Sequence, residues 1–215
     1  IAVRIQLESL KERLRAAARV IAGERAAGWE PVRTEWAFHR EAGEALVFEG
    51  IPVHGKVDLI ERHAGTGQYR IVDYKTSDKA EDPRKKHLTF PRSAPGNALV
   101  PETDFDLDGK TARWCDLQMP LYLEAFRKTY QTGAVCAYLN LPKAVGDTGL
   151  MPWEVADPVR LAALECAQAV VRQIRSGAFV PPEKTRGADK WLSWFGDDYP
   201  PISKSAGTRE GGARS

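Results

Sequence analysis

The sequence predicts an α/β protein, and three observations carry that expectation. Val3, Leu7, Leu10, Leu14, Ala17 and Ile21 recur at alternating four- and three-residue steps, the period of a helix with one apolar stripe. Residues 32–39, 44–49, 51–62 and 68–76 read as consecutive strands, parted by turn signals at Glu41 to Gly43, at Gly50 and at "AGTGQ". Helical pattern in "DLQMPLYLEAFRKTY", a strand "AVCAYLNL" and a helix over 158–176 then complete the alternation.

Taken in order, the first helix fills residues 1–28 and ends near "AAGW", its stripe expected to pack on the core. Residues 32–76 form an antiparallel strand meander. Residues 77–112 are charged and rich in Pro, Gly and Asp, and read as a loop whose length in a compact domain demands a function. In the helix–strand–helix region 113–180, Asp116 suits an N-cap. Pro120 then falls in the first turn, where backbone donors lack intrahelical partners anyway. With 215 residues, 43% of them hydrophobic, one well-buried core is expected and two would each be too small. That single domain spans 1–199, and the Gly-, Ser- and Arg-rich residues 200–215 read as a disordered tail. Trp191, Trp194, Phe195 and Tyr199 are expected to close the core by packing, with stacking on bases as the alternative.

Composition narrows the function classes. Thirty-one basic against 29 acidic residues leave a net charge of +2, so any nucleic-acid surface is local rather than a bulk footprint. The local candidate is Arg84, Lys85 and Lys86 in "PRKKH", either a phosphate-contacting run or a solvated loop. Cys115, Cys136 and Cys166 show no paired spacing for zinc, a redox dithiol or an iron–sulfur cluster and are expected as buried thiols of a cytoplasmic protein. No apolar run nears the roughly 18 residues that a membrane span needs. The opening residues, already in helical pattern, lack a signal-peptide layout, and the chain reads as a piece of something longer.

The stretch "VDLIERHAGTGQYRIVDYKTS" places Asp58, Asp73 and Lys75 inside apolar runs that ordinarily exclude charge. Alternation puts Asp73 and Lys75 on one strand face. If the hairpin turns at Gly65–Thr66, Asp58 stands directly opposite Asp73, with Cβ atoms about 4.5–5.5 Å apart. Two carboxylates that close repel, and a hard divalent ion held by carboxylates, a backbone carbonyl and waters removes the conflict. The lysine is then free to act on water or on transition-state charge, the chemistry of phosphodiester hydrolysis. The bland alternative is a structural salt bridge between Lys75 and Asp73, with Asp58 capping a strand end. Gln118 and Tyr122, four residues apart on one helical face, can point at the sheet while Leu117, Leu121 and Phe126 face the core.

"GKVDLIE", "IVDYKTS" and "QMPLY" resemble, in order and spacing, the glycine–x–x–aspartate strand, aspartate–x–lysine strand and glutamine–x–x–x–tyrosine helix of the PD-(D/E)XK nucleases in their RecB-like, AddB-type branch. The resemblance implies a restriction-endonuclease-like core, with a mixed central sheet flanked by helices. It implies a Mg²⁺- or Mn²⁺-dependent deoxyribonuclease of the RecB-like exonuclease kind, belonging to a larger bacterial recombination or repair protein. Its partners would be DNA and a helicase or other domains of a longer chain, with no membrane. Asp58 and Asp73, with the Tyr74 backbone carbonyl, would hold the metal, Lys75 would be the catalytic lysine, and Gln118 and Tyr122 would support the site and its DNA contacts. Glu35, in "RTEWAF", is either the further acid that relatives place on the preceding strand or a solvent-facing glutamate. The sequence departs from these relatives in two ways. Residues 1–38 lack the upstream-helix histidine, with His39 and His54 on predicted strands. "DKWLSWFGDDY" stands where some relatives carry iron–sulfur cysteines, so no such cluster is expected. A DNA-binding module of nuclease fold that does not cut is the competing function.

Overall fold

The computed structural model describes residues 2–38, 46–91 and 101–177. The chain opens with α1 (Ala2–Ala26), followed by β1 (Trp29–Phe38), β2 (Leu46–Phe48), β3 (Ile51–Val53), β4 (Gly55–His63) and β5 (Tyr69–Lys75). A short α2 (Pro83–His87) leads into β6 (Leu88–Thr89), β7 (Asp104–Leu107) and β8 (Lys110–Trp114). Then come α3 (Gln118–Tyr130), β9 (Val135–Asn140), β10 (Gly149–Trp153) and α4 (Asp157–Arg175).

The architecture is mixed α/β: a five-stranded sheet in the order β1-β4-β5-β9-β10, flanked by helices. β1, β4 and β5 are antiparallel neighbours, β5 and β9 run parallel, and β10 returns antiparallel to β9. The parallel step is the natural outcome of a crossover that carries a helix, here α3. One sheet face buries Ile60, Ile71, Cys136 and Tyr138 against Met119, Leu123 and Phe126 of α3 and against Ala163 and Cys166 of α4. The other buries Leu59, Val72, Ala137 and Leu139, with Val20 of α1 packed on them. Thus β5 and β9 are covered on both faces and read as apolar runs, which is why charges within them stand out.

Five expectations need correction. The stretch 51–62 is two strands that part at His54: β3 folds back on β2 as a separate hairpin while β4 joins β1 in the main sheet. Glu49 and Gly50, at φ 50° and 77°, form the tight turn of that hairpin. Residues 77–112 are not one structureless loop, since they hold α2 and the sheet β6-β8-β7, whose Asp108–Gly109 turn has the same left-handed pair. The apolar stripe of α1 packs only in part: Ala17 is buried, whereas Val3 is 76% and Leu14 55% exposed, as are Leu7 and Leu10. Cys115 is exposed, while Cys136 and Cys166 are buried as expected. Helix α3 begins at Gln118, after a Leu117 cap, but the Asp116 carboxylate still accepts the Gln118 amide at 2.7 Å. His39, Trp191, Trp194, Phe195, Tyr199 and the 200–215 tail lie outside the described residues. Among the described residues no helix is long and apolar enough to cross a membrane.

Candidate active site

The hairpin β4–β5 has the register that a turn centred at Gly65–Thr66 requires. Leu59 faces Val72, Ile60 faces Ile71, and Glu61 faces Arg70, and the ladder ends there, one residue short of Asp58 and Asp73. The turn closes through the Gly67 amide on the His63 carbonyl and the His63 amide on the Gln68 carbonyl, both at 2.8 Å. At Asp58 the strand loses strict alternation: Val57 and Ile60, an odd number of residues apart, both join the larger core while Leu59 joins the smaller one. Beyond the regular ladder the Asp58 Oδ2 takes the Tyr74 amide at 2.9 Å.

Asp73 is 5% exposed, and Lys75 extends from the same face to place Nζ 2.8 Å from Asp73 Oδ2. The ammonium also donates to Gln118 Oε1 at 3.3 Å and lies 4.6 Å from the centre of the Tyr138 ring. Burial pushes the Asp73 carboxyl up from its ordinary range. The Lys75 ammonium pulls it back down, and the Asp58 carboxylate opposite raises it again. This is the like-charge conflict anticipated from the hairpin geometry. Gln118 Nε2 donates to the Tyr122 hydroxyl at 3.0 Å, so one side chain joins the lysine to the tyrosine. Tyr122 in turn packs edge-on against Phe38, ring centres 5.9 Å apart. Phe38 lies over Gly55: any Cβ there would collide with the Phe38 ring and stand 3.1 Å from Tyr122. The three sequence motifs are therefore one physical unit, from Gly55 through Phe38, Tyr122 and Gln118 to Lys75.

Glu35 lies where the β1–β4 register faces Asp58, in a left-handed conformation at φ 53°. Its carboxylate is exposed and pairs with Lys56, an ammonium that also feels the Asp58 charge. Arg84, Lys85 and Lys86 are exposed on α2, with Lys86 held by Glu81 at 3.2 Å and Lys85 near Asp82 at 3.7 Å. Arg84 lines a cleft of about 430 Å³ together with Asp106, Asp108 and Glu154, so basic and acidic parts of 77–112 share one surface.

Side chains missed by the sequence reading support this cluster. Asn140, buried at the end of β9 opposite Lys75, holds the Glu81 backbone through its amide in both directions, at 2.9 and 3.0 Å. Arg13 of α1 donates to the carbonyls of Thr76 at 2.9 Å and Leu141, pinning the ends of β5 and β9. Tyr138 read as one more apolar residue of a strand, and His87 as the end of a basic run. The one local signal was a lone histidine directly ahead of an apolar segment.

The donor set at Asp58 and Asp73 is hard oxygen, and in each carboxylate it is Oδ2 that takes the protein's hydrogen bond. Two such acids facing each other fit a Mg²⁺- or Mn²⁺-sized ion that keeps several waters. Among the described residues no group of three or more His, Cys, Asp and Glu gathers at one point. The family model described as the PD-(D/E)XK nuclease superfamily matches residues 2–190. No curated protein matches the chain.

Proposed function

This chain belongs to the PD-(D/E)XK nuclease superfamily, and we propose that it is a RecB-like nuclease domain of a larger bacterial recombination or repair protein, hydrolysing DNA phosphodiesters in the cytoplasm. The observation that carries the reading is a buried Asp73 that feels the Asp58 charge just past the end of the ladder and has the Lys75 ammonium 2.8 Å from its carboxylate.

In this reading Asp58, Asp73 and the Tyr74 carbonyl hold Mg²⁺ or Mn²⁺, which supplies Lewis-acid stabilisation of phosphoryl oxygens and a more acidic water. The chain's own residues do the rest. Asp73 fixes Lys75 Nζ, and Gln118 and the Tyr138 ring hold the ammonium where it can orient the attacking water or meet the charge of the transition state. Tyr122 keeps Gln118 turned toward the lysine. Exposed Arg84, Lys85 and Lys86 lie beyond the end of the same strand and are the candidate phosphate contacts.

A second reading, DNA binding without cleavage, is favoured by the fact that each carboxylate already has a protein partner, Tyr74 N–H or Lys75 Nζ. Incubation with Mn²⁺ and linear or circular, single- or double-stranded DNA separates the two. Cleavage that Asp73→Ala abolishes is the expected result. Retention of DNA on a native gel without cleavage of any substrate would establish the binding module instead.

A further inference from the structure

Two groups besides Asp73 hold the Lys75 ammonium, and both lead back to one residue. The Tyr138 ring lies 4.6 Å from Nζ, and its hydroxyl stands 3.3 Å from His87 Nδ1. Gln118, which receives Nζ through Oε1, opens α3, and the amide of the next residue, Met119, donates to His87 Nε2 at 3.2 Å. His87 is 0% exposed, and its Nδ1 is 2.8 Å from the Pro83 carbonyl. An acceptor at Nε2 and a donor at Nδ1 define one tautomer, the neutral imidazole with its proton on Nδ1, shared between the Pro83 carbonyl and the Tyr138 oxygen. Burial lowers the His87 pKa in the same sense, against the raising effect of the Pro83 carbonyl and Asp116.

We infer that His87 is the positioning residue of the lysine: one neutral imidazole fixes the ring beside the ammonium and the helical turn whose glutamine receives it. Its contact with Trp153, ring centres 5.2 Å apart, gives the imidazole a rigid back wall. No other arrangement of hydrogen at this ring satisfies both Met119 and Pro83. Protonation would turn Nε2 into a donor facing the Met119 amide and loosen the first turn of α3.

The kinetic side of this inference rests on the nuclease reading, and a second readout does not. With the full chain, Mn²⁺ and linear DNA, His87→Ala is expected to lower kcat roughly 10- to 100-fold while KM stays within about twofold, the signature of displaced chemistry rather than lost binding. His87→Gln keeps an acceptor for Met119 and His87→Asn keeps a donor toward Pro83 and Tyr138, so each recovers part of the loss. If His87→Ala does not fold, these two variants and Tyr138→Phe carry the same decision, each with a smaller fall in kcat. Independently of cleavage, peptide mapping after brief exposure to an amine-reactive ester should show Lys75 acylated several times faster in the variants than in the parent. Parental kcat, a rise in KM alone, or parental acylation of Lys75 would overturn the inference. If the parent cuts no DNA, the nuclease reading falls, and the acylation rate of Lys75 alone decides for or against His87.

Discussion

The hairpin β4–β5 carries two buried charge clusters three residues apart, on opposite faces of the sheet, and they are built by opposite rules. On the α1 face Glu61 and Arg70, 3% and 4% exposed, stand directly across the ladder with Arg70 Nε 2.5 Å from Glu61 Oε2. Arg25 adds a second cation to Glu61 at 2.9 Å, Glu24 a second anion to Arg70 at 2.5 Å, and the Trp29 ring lies 4.0 Å from the Arg70 guanidinium. Two acids and two arginines cancel. Toward the end of β5, the buried Asp73 carries the Lys75 ammonium at 2.8 Å and feels the Asp58 charge, so two acids share one close cation there. Matched charges with saturated hydrogen bonds hold α1 to the sheet, whereas mismatched charges do nothing for stability that an apolar pair would not do better. The two clusters on one hairpin thus differ in kind: the first is charge-matched and holds α1 to the sheet, and the second sets two acids against one close cation.

The largest effect that can break this comparison is catalytic. On the proposed nuclease reading, Asp58→Ala, Asp73→Ala and Lys75→Ala are each expected to lower cleavage by roughly 100-fold or more, since each would remove a group acting on metal, water or transition state. Calorimetry should show Mn²⁺ binding lost in both aspartate variants and kept in Lys75→Ala. Retained Mn²⁺ affinity in the aspartate variants would return the pair to a structural role.

The joint should respond in the other currency. Glu61→Ala leaves the buried Arg70 with only the half-exposed Glu24, and is expected to destabilise the fold by about 3–5 kcal/mol. Cleavage per folded molecule should stay at the parental rate. Urea unfolding beside a single-turnover assay checks both parts, and a variant that is stable but inactive would erase the distinction between the faces.

A smaller effect concerns α2. Neutralising Arg84, Lys85 and Lys86 together is expected to weaken DNA binding at low salt and to flatten the dependence of log affinity on log salt by at most about two units. The ceiling follows from the pairing of Lys86 with Glu81, which competes with phosphate. Fluorescence anisotropy at several salt concentrations measures the slope, and an unchanged slope would move the basic surface elsewhere.

The smallest effect is a pH dependence of stability. The folded pKa of His87 lies below the 6.5 of a free imidazole because burial penalises the charged ring. Below that value the unfolded chain takes up the proton first, so the contribution is fully present above 6.5 and is lost as pH falls toward the folded value. His87→Gln has no such titration, and its Tm should fall less than the parent's between about pH 7 and about pH 5. Thermal melts at matched ionic strength provide the test.

Local rules account for most of this arrangement. Strand alternation fixes Asp73 and Lys75 on one face, the turn at Gly65–Thr66 fixes the β4–β5 register as far as Leu59 opposite Val72, and helical spacing fixes Gln118 and Tyr122 on one side of α3. The α/β alternation and α4, expected over 158–176 and found at Asp157–Arg175, follow from the same short-range periodicities. Only tertiary structure decided what those faces meet. The stripe of α1 had the right period, yet periodicity says which side chains share a face and not whether anything covers it, so Val3 and Leu14 remain exposed. The same limit hid the parting of 51–62 at His54 and the parallel pairing of β5 with β9, which places Tyr138 level with Asp73. His87 meets Met119 across 32 positions and Tyr138 across 51, and no local pattern constrains pairs that far apart. The chain's short-range physics set out the charged groups of the candidate site, and the folding of distant segments against them supplied the contacts that hold Lys75 in place.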